Sequence, residues 1–164
     1  GLAALESFRT LAASRCGGST FAAWHTLLDV RGTGKVSFND LVRSGRAMGF
    51  KGNYKLLWGQ VTRGSGADAI GLEAFDPRAA ELFREVRDFF DEREMLLEEL
   101  WEMLDPDGSG RCLLGDFVAV LTRMGLGAAK ARRLFHMLDG GGQRDVSLDE
   151  LELVGLKRRE VRSL

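Results

Sequence analysis

Proline, cysteine and histidine are scarce in this chain of 164 residues, which holds only two of each. With Pro77 and Pro106 alone to interrupt a helix, long helices are open to most of the sequence. Cys16 and Cys112 are too few and too far apart for a disulfide framework. A reducing, intracellular setting is therefore expected, either cytoplasmic or attached to a cytoskeletal assembly. His25 and His136 sit on separate helical stretches. There is no Ser-His-Asp order, phosphate loop or Cys-x-x-Cys, so the expectation is a non-enzyme with no catalytic or cofactor-binding residue. A net charge of −1 removes bulk attraction to nucleic acid. No apolar run approaches the roughly 18 residues of a membrane span. The chain begins with Gly rather than Met, which reads as processing, trimming or a partial chain.

The chain is rich in apolar residues, at 45%, and in glycine, with 21 residues between the apolar runs, as turns require. It also matches itself. A shift of 76 residues puts Leu28-Asp29 on Leu104-Asp105, Gly34 on Gly110, Asp40 on Asp116 and "RAMGF" (46–50) on "TRMGL" (122–126). A shorter period lies within each half. "VSFNDL" (36–41) recurs as "IGLEAF" (70–75), "CLLGDF" (112–117) and "VSLDEL" (146–151). The chain is thus four similar units in two pairs. Each has an apolar-periodic helix, a polar Gly-rich stretch, one small or β-branched apolar residue and a second helical run. Stripes such as Leu97, Leu100, Trp101 and Leu104 are read as core.

Helix, twelve-residue loop, helix, in pairs, resembles the EF-hand family over nearly the whole chain. The resemblance implies an all-α fold of four EF-hand units in two paired lobes. It also implies short β-bridges between paired loops and a long linking helix. On this alignment the loops are 29–40, 63–74, 105–116 and 139–150. Loop position 8, which pairs across the bridge in the family, falls on Val36, Ile70, Cys112 and Val146. Position 6, usually a Gly of positive φ, is Gly34 and Gly110 but also Asp68 and Arg144. The segment "IGLEAFDPRAAELFREVRDFF" is similar to long, degenerate tandem EF-hand repeat proteins of protists. "LAALESFRTL" resembles its "RAAELFREV", so residues 1–18 read as the tail of a preceding repeat or a leading helix. The expected organisation is an N-terminal pair over 19–76, a linker helix over 77–95 and a C-terminal pair over 96–164.

Calcium wants six to eight oxygens, which such a loop supplies from positions 1, 3, 5, 7, 9 and 12. Loop 105–116 offers Asp105, Asp107, Ser109, the backbone carbonyl of Arg111, and Asp116. Leu113 provides nothing at position 9, and Asp116 is one methylene shorter than the usual Glu. Loop 29–40 offers Asp29, Thr33, the backbone carbonyl of Lys35, Ser37 and Asp40, with Arg31 where an anion belongs, so weak or absent binding is expected there. Loop 139–150 keeps Asp139, Gln143, Asp145, Ser147 and Glu150, but has Gly141 at position 3 and Arg144 at the sharp turn. Loop 63–74, from Arg63 through Ala67 to Ala74, has lost its ligands.

Ligand count thus allows at most one weak Ca²⁺ or Mg²⁺ site. The leading expectation is a degenerate EF-hand interaction or scaffold module within a larger assembly. Its protein partners would be other parts of that assembly or a helix held in an apolar groove, with no nucleic acid and no transmembrane segment. The alternative is a calmodulin-like, calcium-responsive regulator that binds a target helix. The linker stretch 77–104 has no Gly and, after Pro77, no Pro; as continuous helix it would span about 42 Å, with any break between Asp88 and Met95. The basic stretch "LKRREVR" (156–162) reads as a solvated end or, more sharply, as a docking patch for an acidic surface.

Overall fold

The computed structural model describes residues 2–140 and 142–160. Gly141 of the fourth loop, residue 1 of the leading segment and the end of the basic stretch at 161–162 lie outside the described residues. The chain is mostly α-helical, with two small antiparallel sheets. Among the described residues no helix is long and apolar enough to cross a membrane. The chain divides into two compact units, Gly1–Ala80 and Glu81–Leu164.

In the first unit, α1 (Ala3–Ser14) precedes α2 (Thr20–Ala23), which runs on into a π-helical turn at Trp24–Leu28. Then come β1 (Val36–Ser37), α3 (Phe38–Met48), α4 (Tyr54–Thr62), β2 (Ala69–Ile70) and α5 (Leu72–Phe75). Helix starts follow local chemistry. Ser19 caps α2, Asn53 caps α4, and Ser37 with Asp40 forms a reciprocal capping box at α3. Gly49 ends α3 in the left-handed region, where a side chain would be strained. β1 and β2 pair antiparallel, Val36 opposite Ile70 and Ser37 opposite Ala69, as the 34-residue spacing predicts.

The leading helix α1 is part of this unit's core. Leu5, Phe8 and Ala12, at helical spacing, are buried, and Phe8 stands edge-on to Phe50 and Phe75. The Leu5 N–H donates to Gln60 Oε1 at 2.9 Å. Arg9 Nε donates to the Phe75 carbonyl at 2.6 Å, and so satisfies an acceptor that the four-residue α5 leaves open.

Helix α6 (Pro77–Glu92) opens with Asp76 Oδ1 accepting the Ala79 N–H and Pro77 as first residue; from Glu81 onward it belongs to the second unit. The expected break falls at 93–96, where Glu94 takes a positive φ of 52° before α7 (Leu97–Leu104). Then follow β3 (Cys112–Leu113), α8 (Leu114–Met124), α9 (Ala128–Leu138), β4 (Asp145–Val146), α10 (Leu148–Leu151) and a 3-10 turn at Glu152–Val154. Cys112 pairs with Val146 and Leu113 with Asp145. The stretch expected to link the pairs is no bare spacer, since Leu82, Phe83, Val86 and Phe90 are buried. Arg87 Nη1 donates to the Val154 carbonyl at 2.9 Å, as Arg9 does to Phe75 in the first unit. Each unit is a leading helix followed by two helix–loop–helix elements. The described part of the basic stretch is fastened to the second unit at 156–159. Leu156 is buried, the Leu97 N–H donates to the Lys157 carbonyl at 2.8 Å, and the Arg159 N–H donates to Glu98 Oε2 at 2.9 Å.

Two outcomes follow. Phe8→Ala should lower the unfolding free energy of the first unit by about 3–5 kcal/mol, read by urea titration. The Arg159 N–H, ahead of every other influence, holds the Glu98 carboxyl below its ordinary value of 4.5. This stabilisation is complete above that value and is lost as pH falls through the lowered folded value. The protection of the Arg159 amide, measured against its intrinsic exchange rate at each pH, should therefore fall on acidification, and Glu98→Gln should remove that pH dependence.

Candidate metal centre

Three of the four loops share one backbone cage. Asp29, Asp105 and Asp139 each accept two N–H bonds from the loop ahead. The donors are Thr33 and Gly34 (3.0 and 2.9 Å), Ser109 and Gly110 (2.9 and 2.8 Å), and Gln143 and Arg144 (3.0 and 2.8 Å). The cage requires positive φ at positions 4 and 6, found at Gly32 and Gly34, Gly108 and Gly110, and Gly142 and Arg144. Arg144 thus takes the glycine turn (φ 66°), at a strain of about 1–2 kcal/mol. Loop 63–74 has no acid at position 1. Its positive φ values fall instead at Arg63, Gly64 and Gly66.

In loop 105–116 three oxygens converge. Ser109 Oγ lies 2.9 Å from Asp105 Oδ1 and 3.0 Å from the Arg111 carbonyl. One hydroxyl proton cannot serve both acceptors at once, while Asp105 Oδ1 also accepts the Ser109 N–H at 2.9 Å. Asp105 is buried, and burial works to raise its pKa. The N–H of Gly110 and the hydroxyl of Ser109 outweigh it and hold the carboxyl below its ordinary value. Asp107 Oδ1 joins at the margin, 3.4 Å from the Ser109 N–H. Asp116 is exposed and has no hydrogen-bond or ion-pair partner among the described residues. The expected ligand set is therefore assembled in part: Asp105, Ser109 and Arg111 converge, while Asp116 stands open at the start of α8. Among the described residues no three His, Cys, Asp or Glu side chains cluster tightly enough to hold an ion.

Loop 29–40 repeats the convergence more loosely. Thr33 Oγ1 lies 3.1 Å from the Lys35 carbonyl and 3.4 Å from Asp29 Oδ1. The two remaining expected ligands are committed elsewhere. Ser37 and Asp40 cap each other's backbone N–H groups (3.1 and 3.0 Å), and Arg43 donates to Asp40 Oδ1 at 2.6 Å. The Ser37 N–H is the main cause that holds the Asp40 carboxyl below its ordinary value; burial opposes it and Arg43 adds to it. Arg31, Lys35 and Arg43 line the same cavity of about 200 Å³ as Asp29 and Asp40, and Arg43 pairs with Asp40. In loop 139–150, Ser147 and Glu150 are likewise a capping box.

Sequence reasoning missed the carboxylate partners of two arginines, Arg43 and Arg111. Arg43 could have been read from its three-residue spacing to Asp40 on one helix. The bond from Arg111 Nη1 to Asp145 crosses the strand bridge and needed the register. His25 and His136 are both exposed, one stacked on Phe21 and the other edge-on to Phe135. Comparison with known protein families and with curated proteins finds no match to this chain.

Cys112 is buried at the strand bridge, opposite Val146. Burial first, then the negative charges of Asp116 and Asp105, push its thiol up to about 11. At pH 8, Ellman's reagent should label Cys16 promptly and Cys112 more than about a hundredfold more slowly, so Cys16→Ser should abolish the fast phase.

Proposed function

We propose that the chain is a degenerate EF-hand module that serves as a protein-interaction scaffold, with at most one weak divalent-cation site. The reading places it inside the cell as part of a larger assembly. The observation that carries it is the burial of a leading helix in the first unit's core. In EF-hand sensors, metal opens a helix pair and bares an apolar groove for a target helix. Here Leu5, Phe8 and Ala12 of the unit's own helix are already buried, and Arg9 ties that helix to the end of α5. The paired loops, the caged first-position acids and the positive φ at positions 4 and 6 support the EF-hand assignment. The seating of arginine on Asp40 and Asp145 supports a fold that does not need metal.

On this reading, calcium added to chelated protein leaves the fluorescence of a hydrophobic dye unchanged. A several-fold rise would instead select the calcium-responsive regulator.

That second reading draws on loop 105–116, where Asp105, Ser109 and the Arg111 carbonyl converge. An ion held by Asp105, Asp107, Ser109, Arg111 and Asp116 lacks a position-9 ligand and a bidentate Glu, which puts its dissociation constant at about 10⁻⁴ M or weaker. Calorimetry should give one weak heat for the wild type, a stronger one for Asp116→Glu and none for Asp105→Asn. Tight binding of two or more ions by the wild type would overturn the scaffold reading.

A further inference from the structure

We propose that the fourth loop carries a cation-binding position formed by Gln143 and Asp145, and that its resident cation is the guanidinium of Arg111. Arg111 Nη1 lies 3.1 Å from Gln143 Oε1 and 3.0 and 2.9 Å from the two oxygens of Asp145. A single nitrogen thus sits among three oxygens that belong to loop positions 5 and 7. Asp145 is the sheltered partner, its side chain 13% exposed against 59% for Arg111.

The strand register makes the contact possible. Cys112 pairs with Val146 and Leu113 with Asp145, so Arg111 and Asp145 are diagonal neighbours on one face of the bridge.

The first unit supplies an internal comparison. The positions 76 residues earlier are Lys35, Ala67 and Ala69. There the bridge has the same register, with Val36 opposite Ile70, but the facing loop keeps neither oxygen-bearing side chain. The cation of that unit has no corresponding seat: the Lys35 backbone N–H and carbonyl bond to Thr33, and its side chain makes no ion pair among the described residues. The seat exists only where the facing loop retains oxygen-bearing side chains.

The consequence is a loop whose order comes from a cation of the protein itself. Gln143 is held at both ends, its amide oxygen by Arg111 and its N–H by Asp139. Screened and half-exposed pairs of this kind contribute modestly. The effect should be local to Gln143 and Arg144.

The test is solvent-exchange NMR on the full chain in excess chelator, so its result stands whether or not loop 105–116 binds calcium. Arg111→Met keeps the length of the side chain and removes its charge. It should speed amide exchange at Gln143 and Arg144 about three- to fivefold, while Leu134 in α9 stays unchanged. Because one nitrogen makes all three contacts, Arg111→Lys should bring exchange back to within about twofold of the wild type. In Asp145→Asn, Arg111→Met should add almost nothing. Unchanged exchange in Arg111→Met would overturn the proposal, and so would Arg111→Lys exchanging as fast as Arg111→Met. A loss of calcium heat in Asp105→Asn with this pattern intact would leave the internal cation standing on its own.

Discussion

The burial of a leading helix against the helices that follow it is the constraint on which the first unit depends. A pair of short helix–loop–helix elements offers an apolar face too large to leave in water. α1 covers that face with Leu5, Phe8 and Ala12, and each fully buried large side chain contributes about 1.5–3 kcal/mol. In the second unit, α6 buries Phe83, Val86 and Phe90. The same helices solve a polar problem. The last helix of each unit has only four regular residues and leaves carbonyls without partners. Arg9 reaches the Phe75 carbonyl and Arg87 the Val154 carbonyl, so one helix supplies apolar cover and a hydrogen-bond donor together.

The loops show how backbone and side-chain chemistry have parted. The backbone part persists in three of them: an acid at the first position, held by two N–H groups, over a turn of two positive φ values. The side-chain part is diverted. Asp40 answers Ser37 and Arg43, Glu150 answers Ser147, and Asp145 answers Arg111. Among the described residues, Asp116 alone is a last acid of a loop left without a partner. Arg111 faces both ways, its carbonyl toward the oxygens of its own loop and its guanidinium on the loop opposite.

Much of this was legible in the sequence because it is local or periodic. The 76- and 34-residue repeats gave four helix–loop–helix segments and the pairing of Val36 with Ile70 and Cys112 with Val146. The helix break after Glu92 lies within the stretch between Asp88 and Met95 where the sequence allowed one. The candidate ligands of loop 105–116 were nameable from their spacing, since Asp105, Ser109 and the Arg111 carbonyl lie within one tight turn.

Contacts between distant segments belonged to the tertiary structure. No spacing rule says that residues 3–14 complete the core of residues 20–75, or that Arg9 ends on a carbonyl 66 positions away. The rotamer of an exposed arginine is set by whichever carboxylate the fold brings within reach, so the seating of Arg111 on Asp145 waited on the strand register. The same holds for Asp40 and Glu150, which their place in the loops marks as ligands and helix capping claims first. The sequence by itself determined the helices, the turns and the repeat, because these answer to neighbours along the chain. The tertiary structure decided which charges meet, because that depends on distances the chain order does not contain.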